Sequence, residues 1–125
     1  MKKLNVAVVG ASGFTGSEIC RLLLQHKNIK KIYPVSRERK KFSITHPNLL
    51  AADLSYITIR ELYKISKKLD CVFLCTKSDD SYDLTAKLLK KNIKIIDLSG
   101  AFRFEDIKKY KRAYGSVKIN KFLIK

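Results

Sequence analysis

A glycine-rich turn, Gly10-Ala11-Ser12-Gly13-Phe14-Thr15-Gly16, constrains this chain more than anything else in it. The run before it, Leu4-Asn5-Val6-Ala7-Val8-Val9, is short and nearly all apolar. That suits a strand buried on both faces of a parallel sheet. The segment after it, Phe14 to His26, reads as a helix. Phe14, Ile19, Cys20, Leu22 and Leu23 form its apolar stripe, and Ser17, Glu18, Arg21 and Gln25 stay polar. The spacing G-x-x-G-x-x-G is a relative of the dinucleotide fingerprint, and strand–turn–helix is the context that fingerprint needs. Gly10 permits the tight turn, Gly13 lets backbone approach a pyrophosphate, and Gly16 lets the helix pack close to the sheet. Amides at the helix start then face the phosphate, and Ser12 and Thr15 add hydroxyl donors. A nucleotide site is expected here; the competing reading is a turn that serves structure alone.

The rest of the chain alternates strands with helices. Lys31 to Val35 reads as a second strand whose end bends away near Pro34, because proline donates no ladder hydrogen bond. Ser36 to Thr58 is irregular. Ile59 to Leu69 reads as a helix with Leu62, Ile65 and Leu69 on one face. Asp70 to Cys75 is a third strand. Ser78, Asp79 and Asp80 cap the next helix and favour its positive end. That helix is expected to reach about Lys91 with Tyr82, Ala86 and Leu89 inward. Ile93 to Asp97 is a fourth strand, and Asp106 to Tyr114 a short helix. This order predicts an α/β, Rossmann-like fold: a mostly parallel sheet with helices on both faces.

After Val35 the chain reads Ser36-Arg37-Glu38-Arg39. An NAD site usually places a carboxylate after the second strand to hold ribose hydroxyls. Here a hydroxyl and a cation come first, which suits a 2′-phosphate, and Arg37 can pair with it twice. NADP is therefore expected, although Glu38 turned inward would favour NAD.

Composition narrows the class. The net charge is +16, but the cations are mostly lysines spread in ones and twos, as on solvated faces. A nucleic-acid binder is the less favoured reading, and the charge helps attract an anionic cofactor. No apolar run reaches the roughly 18 residues that cross a bilayer. The stretch behind Met1-Lys2-Lys3 ends at Gly10, too soon for a secretory signal, so a cytoplasmic location is expected. The three cysteines, Cys20, Cys71 and Cys75, show no metal-ligand spacing. On one strand Cys71 and Cys75 would stand roughly 13 Å apart, too far for a disulfide. They read as reduced thiols in a core.

The turn Gly10 to Glu18, Ser36-Arg37, His46-Pro47-Asn48-Leu49, Val72-Phe73-Leu74 and above all Ile96-Asp97-Leu98-Ser99-Gly100-Ala101-Phe102-Arg103-Phe104 resemble N-acetyl-gamma-glutamyl-phosphate reductases in register from Asn5 to about Gly115. The resemblance implies an NADPH-dependent enzyme of arginine biosynthesis that reduces an acyl phosphate to a semialdehyde. A cysteine nucleophile forms a thioester, hydride reduces it, and a histidine moves protons. It implies that Gly10, Ser12, Gly13, Thr15 and Gly16 hold the pyrophosphate and that Ser36 and Arg37 hold the adenosine phosphate. Thr76 and Ser99 fall near the nicotinamide. It implies a small-molecule substrate, a homo-oligomer when complete, and neither nucleic acid nor membrane as partner. Two departures stand out. No cysteine here matches the nucleophile's segment, and neither His26 nor His46 fills the catalytic histidine's place. Ser78 stands where the family usually has histidine. The expectation is a cofactor domain at 1–115 and a tail at 116–125 leading to a missing catalytic domain, without catalysis of its own. The alternatives are a stand-alone, non-enzymatic NADP-binding module and the related reductase of carrier-linked lysine biosynthesis.

Overall fold

The computed structural model describes residues 2–37 and 54–99, together with 108, 109 and 112. The elements run β1 (Leu4–Val9), α1 (Phe14–Leu24), β2 (Ile29–Val35), α2 (Ile59–Lys64), β3 (Cys71–Leu74), α3 (Ser78–Leu88) and β4 (Lys94–Asp97). All strands pair in parallel, in the order β2-β1-β3-β4. This is the expected Rossmann-like sheet. The chain leaves β1 to one side for β2, then crosses to β3 on the other side. Strand order therefore reverses at β1, and the crevice beyond the C-terminal ends of β1 and β3 is where such sheets bind ligands.

β1 lies between two strands, and Val6, Ala7, Val8 and Val9 are all buried. Successive side chains point to opposite faces. Val8 joins Ala11, Cys20 and Ile32 in the layer beneath α1. Ala7 and Val9 join Leu62 of α2, Val72 and Leu74 of β3, and Leu84 and Leu88 of α3. Leu62 and Leu88 are wholly buried there, and each burial contributes about 1.5–3 kcal/mol. α2 opens with a capping box. The Thr58 hydroxyl accepts from the Glu61 amide, and the Glu61 carboxylate accepts from the Thr58 amide, both at 3.2 Å.

Four local expectations change. β2 starts at Ile29 and does not bend away at Pro34, which pairs with Val8 and is buried. The Pro34 carbonyl accepts from Ile57 at 2.9 Å, on the side away from β1. The missing amide hydrogen therefore also belongs to the outer side, where β1 needs nothing from it. α1 ends at Leu24, before the expected His26, and Phe14 is 98% exposed while Gly16, Ile19, Cys20 and Leu23 face the sheet. α2 stops at Lys64, and a short 3₁₀ turn, Ser66–Lys68, carries the chain to Leu69. In α3 the inward positions are Ser81, Tyr82, Leu84, Thr85 and Leu88, whereas Leu89 is 49% exposed. The 3₁₀ turn Leu89–Lys91 rotates Leu89 out of phase, and Asn92 closes it at φ 57.

Of the helix expected over 106–114, Lys108, Lys109 and Arg112 are helical. Its other residues, Glu38, the stretch around His46 and residues 100–107 lie outside the described residues. Among the described residues no helix is long and apolar enough to cross a membrane.

Candidate functional site

β1 ends against the carbonyl of Val35. The amides of Gly10 and Ala11 both donate to that oxygen, at 3.1 and 3.2 Å, and pin the turn to the end of β2. Gly10 sits at φ 80, in the left-handed region. A Cβ there would run into the Cys75 backbone carbonyl, whose carbon lies 3.0 Å away. At Gly16 a Cβ would strike the Gly10 carbonyl and stand 2.7 Å from the Ala11 Cα. Internal packing thus explains both glycines. It does not explain Gly13, whose φ of −84° any residue adopts. A Cβ there would meet only the Gly10 oxygen, at an ordinary 3.5 Å. The space it would fill is a cradle at the mouth of α1, and that is the fit expected of a backbone approached by phosphate.

The first helical hydrogen bond of α1 runs from the Ser17 amide to the Gly13 carbonyl at 2.9 Å. The amides of Phe14, Thr15 and Gly16 precede it and have no partner within the helix. The positive end of α1 thus carries neither a side-chain cap, Gly13 offering none, nor an acidic residue in its first turn.

A cleft of about 680 Å³ opens beside this turn. Of the residues singled out by sequence, Gly10, Ser12, Gly13, Ser36, Arg37 and Thr76 line it. The Ser36 hydroxyl donates to the Ser12 hydroxyl at 3.2 Å, which ties the end of β2 to the glycine turn. Thr76 shares a hydrogen bond with Ser81 at 2.7 Å. Three expected residues stand outside the lining. Thr15 is exposed, Gly16 is buried beneath the turn, and the Ser99 hydroxyl donates to the Asp97 carboxylate at 2.8 Å. Lys77 lines the cleft and is exposed.

Sequence reasoning missed the opposite wall: Ile59 and Tyr63 from α2, Asp80, Asp83, Leu84 and Lys87 from α3. The signal was weak, because helical periodicity marks Leu62, Ile65 and Leu69 and passes over Tyr63.

The thiols are not poised to react. Burial pushes Cys20 up to about 12, helped by Cys75. Burial, then the Asp97 carboxylate, pushes Cys75 up to about 11, and burial also raises Cys71. All three stay protonated near neutrality, but only Cys20 is buried in the core as expected; Cys71 and Cys75 are half-buried. Among the described residues no cluster of His, Cys, Asp or Glu could hold a metal ion.

Residues 5–125 match the family described as semialdehyde dehydrogenase, NAD binding domain. The chain belongs to this family. The family is one of nicotinamide-cofactor domains, and in this chain the glycine turn stands at the switch point of the sheet. Curated relatives of this semialdehyde dehydrogenase domain include the [LysW]-L-2-aminoadipate/[LysW]-L-glutamate phosphate reductase of Sulfolobus acidocaldarius. It is 38% identical over 89% of this chain and 32% of its own length. The N-acetyl-gamma-glutamyl-phosphate reductase of Methanosphaera stadtmanae is 38% identical over 92% of this chain and 33% of its own. Its namesake from Buchnera aphidicola is 39% identical over 91% and 36%. The chain spans about a third of the length of these relatives. Among solved structures, aspartate semialdehyde dehydrogenase II of Vibrio cholerae superposes with a TM-score of 0.69 at 16% identity, over 83% of this chain and 30% of that one. The Candida albicans enzyme, with NADP, gives 0.63 at 16%, over 82% and 31%. At such identity these two speak for the fold alone.

Proposed function

We propose that this chain is the NADP-binding portion of an N-acetyl-gamma-glutamyl-phosphate reductase, which makes the semialdehyde of arginine biosynthesis from N-acetylglutamyl 5-phosphate. The observation that carries the reading is the meeting of Ser12, Gly13, Ser36 and Arg37 at one cleft. In this reading Gly10, Ser12 and Gly13 hold the pyrophosphate at the cleft, and Thr15 and Gly16, outside its lining, contribute backbone amides. Gly13 supplies room, and the amides at the start of α1 supply donors. Ser36 and Arg37 hold the 2′-phosphate, with Arg37 giving a planar, charge-assisted pair. Thr76, which lines the cleft, and Ser99, which does not, are assigned in this reading to the nicotinamide end. The nicotinamide, when bound, supplies the hydride, and this chain's residues orient it.

Residues 1–115 form the cofactor domain in this reading, and 116–125 lead toward the part of the enzyme that binds the acyl phosphate. The three thiols are protonated near neutrality, Cys20 buried and Cys71 and Cys75 half-buried, so in this reading these residues bind cofactor without turning substrate over. A cytoplasmic location, a small-molecule substrate and a homo-oligomeric whole enzyme belong to the same reading. One observation favours a second substrate, a carrier-linked aminoadipyl phosphate. Relatives of that name and of the acetylglutamyl name share the same 38% identity with this chain.

The test is a titration of the chain and of Arg37→Ala with NADPH and NADH. NADPH is expected to bind the unaltered chain more tightly. The variant is expected to lose about tenfold or more in NADPH affinity, the worth of a charge-assisted hydrogen bond, and nothing in NADH affinity. Equal binding of both cofactors by the unaltered chain overturns the NADP assignment.

A further inference from the structure

The wall opposite the glycine turn has no task in the reading above. Ile59 and Tyr63 are half-buried there, packed against the core that contains Val35, Leu62 and Leu84. The α2 part of the wall is therefore apolar and fixed by the fold. Tyr63 also lines the cleft, and the Lys87 ammonium lies over its ring, 5.7 Å from the centroid. A cation–π contact at an exposed site is weak, and a lysine stem is flexible. The ring face under Lys87 is open to any flat group able to move the lysine aside. Asp80 and Asp83 line the same end. Their charges oppose a phosphate there and favour a neutral occupant. Burial, then Asp83, raises the Tyr63 phenol above its ordinary value, so the ring stays neutral near pH 7.

We propose that Tyr63 is the stacking surface for the adenine base of the dinucleotide. The proposal rests on the cofactor reading and extends it to α2. Ser36 and Arg37, assigned to the adenosine phosphate, line the same cleft as Tyr63, so the adenosine end is the part of the cofactor that reaches this wall. Base-on-aromatic stacking needs only a π-face, which an adenine and a neutral tyrosine both present. Lys87 yields the ring face to the base and contributes no required contact.

Isothermal titration of the chain and its variants with NADPH, 2′,5′-ADP and reduced nicotinamide mononucleotide tests this. Tyr63→Ala is expected to weaken NADPH and 2′,5′-ADP by about fivefold or more. Tyr63→Phe is expected to bind both as the unaltered chain does. Lys87→Ala is expected to lose nothing, and no variant should change the mononucleotide. Should Tyr63→Ala fail to fold by circular dichroism, Tyr63→Leu keeps most of the bulk without the π-face and is expected to show the same loss. A folded Tyr63→Ala or Tyr63→Leu that holds 2′,5′-ADP as tightly as the unaltered chain overturns the proposal. So does a Lys87→Ala as weak as Tyr63→Ala, which would make the wall's role one of charge. If the unaltered chain binds neither NADPH nor 2′,5′-ADP, the cofactor reading itself has failed and takes this proposal with it.

Discussion

At the C-terminal ends of β1 and β3 the chain turns through a left-handed Gly10 and leaves the start of α1 without a side-chain cap. At the N-terminal ends of the same strands the chain is tied inward around Asp70. The Asp70 carboxylate accepts from the Asn5 amide at 2.9 Å, and the Asp70 amide donates to the Asn5 carbonyl at 2.9 Å. The Asn5 side chain donates to the Lys68 carbonyl at 3.0 Å, and Lys94 donates to the Asp70 carbonyl at 3.3 Å. One aspartate thus joins β1, β3 and β4. Lysines 2, 3, 67, 68, 90, 91 and 94 are exposed around this knot, several beside the negative ends of helices, which suits the helix dipole. The knot satisfies its own polar groups, whereas the cleft holds a helix start without a side-chain cap and depends on bare glycine backbone for its shape. The knot should therefore tolerate substitution by small losses, and the cleft should not.

The largest expected effect is at Gly10. Gly10→Ala forces a side chain into a left-handed backbone and against the Cys75 carbonyl. A loss of about 2 kcal/mol or more is expected, read as a fall in the denaturant midpoint. A variant melting with the unaltered chain would erase the contrast between the two ends.

Gly13→Ala separates binding from folding at the same turn. The added methyl meets nothing closer than 3.5 Å within the chain, so stability should move by no more than about 0.5 kcal/mol. NADPH affinity should fall about tenfold, equivalent to roughly 1.4 kcal/mol of lost approach. Undiminished binding would show that the turn serves structure alone.

β3 carries a thiol near each end, Cys71 at the knot and Cys75 lining the cleft. Iodoacetamide should modify both slowly at pH 8, and saturating NADPH should slow Cys75 further while leaving Cys71 unchanged. Peptide mass mapping reads both rates. The pH dependence has a definite sign. Cys75 is raised from 9.0 to about 11 and Cys20 to about 12. Folding favours the neutral thiols, so their contribution is complete below pH 9 and is lost as pH climbs toward those values.

The smallest effect belongs to Asp70→Asn. The Asn5 amide, then Lys2, holds this carboxyl below its ordinary 3.8. Its contribution is complete above that value and is lost as pH falls through the lower folded one. The side chain is close to solvent and screened. A slight drop in melting temperature near neutrality and a flatter acid limb of the stability curve are therefore expected. A drop as large as that of Gly10→Ala would reverse the comparison.

Sequence legibility followed how much each signal depended on distant partners. Val6 to Val9 and Val72 to Leu74 announced themselves because strands buried on both faces leave no polar alternation to misread. The Gly10–Gly16 spacing carried its structural demand on its face. Phe14 and Leu89 misled because each sits at an element's end, where a half turn decides between core and water. Pro34 misled because an edge is a property of strand order, which no single strand reveals. Tyr63 stayed hidden because its place in the cleft depends on α2 and α3 meeting across the end of β2. The family segment within residues 100–107 and the loop from Glu38 were read from sequence and lie outside the described residues.

Pro34 also has a consequence beyond its own chain. The outward side of β2 hands one bridge to Ile57, through the Ser36 amide and the Pro34 carbonyl, and at position 34 it offers no hydrogen to anything else. A stray strand from another copy, trying to zip along that margin, would meet a missing rung in mid-ladder. The same ring that fills the core thereby guards the sheet against aggregation.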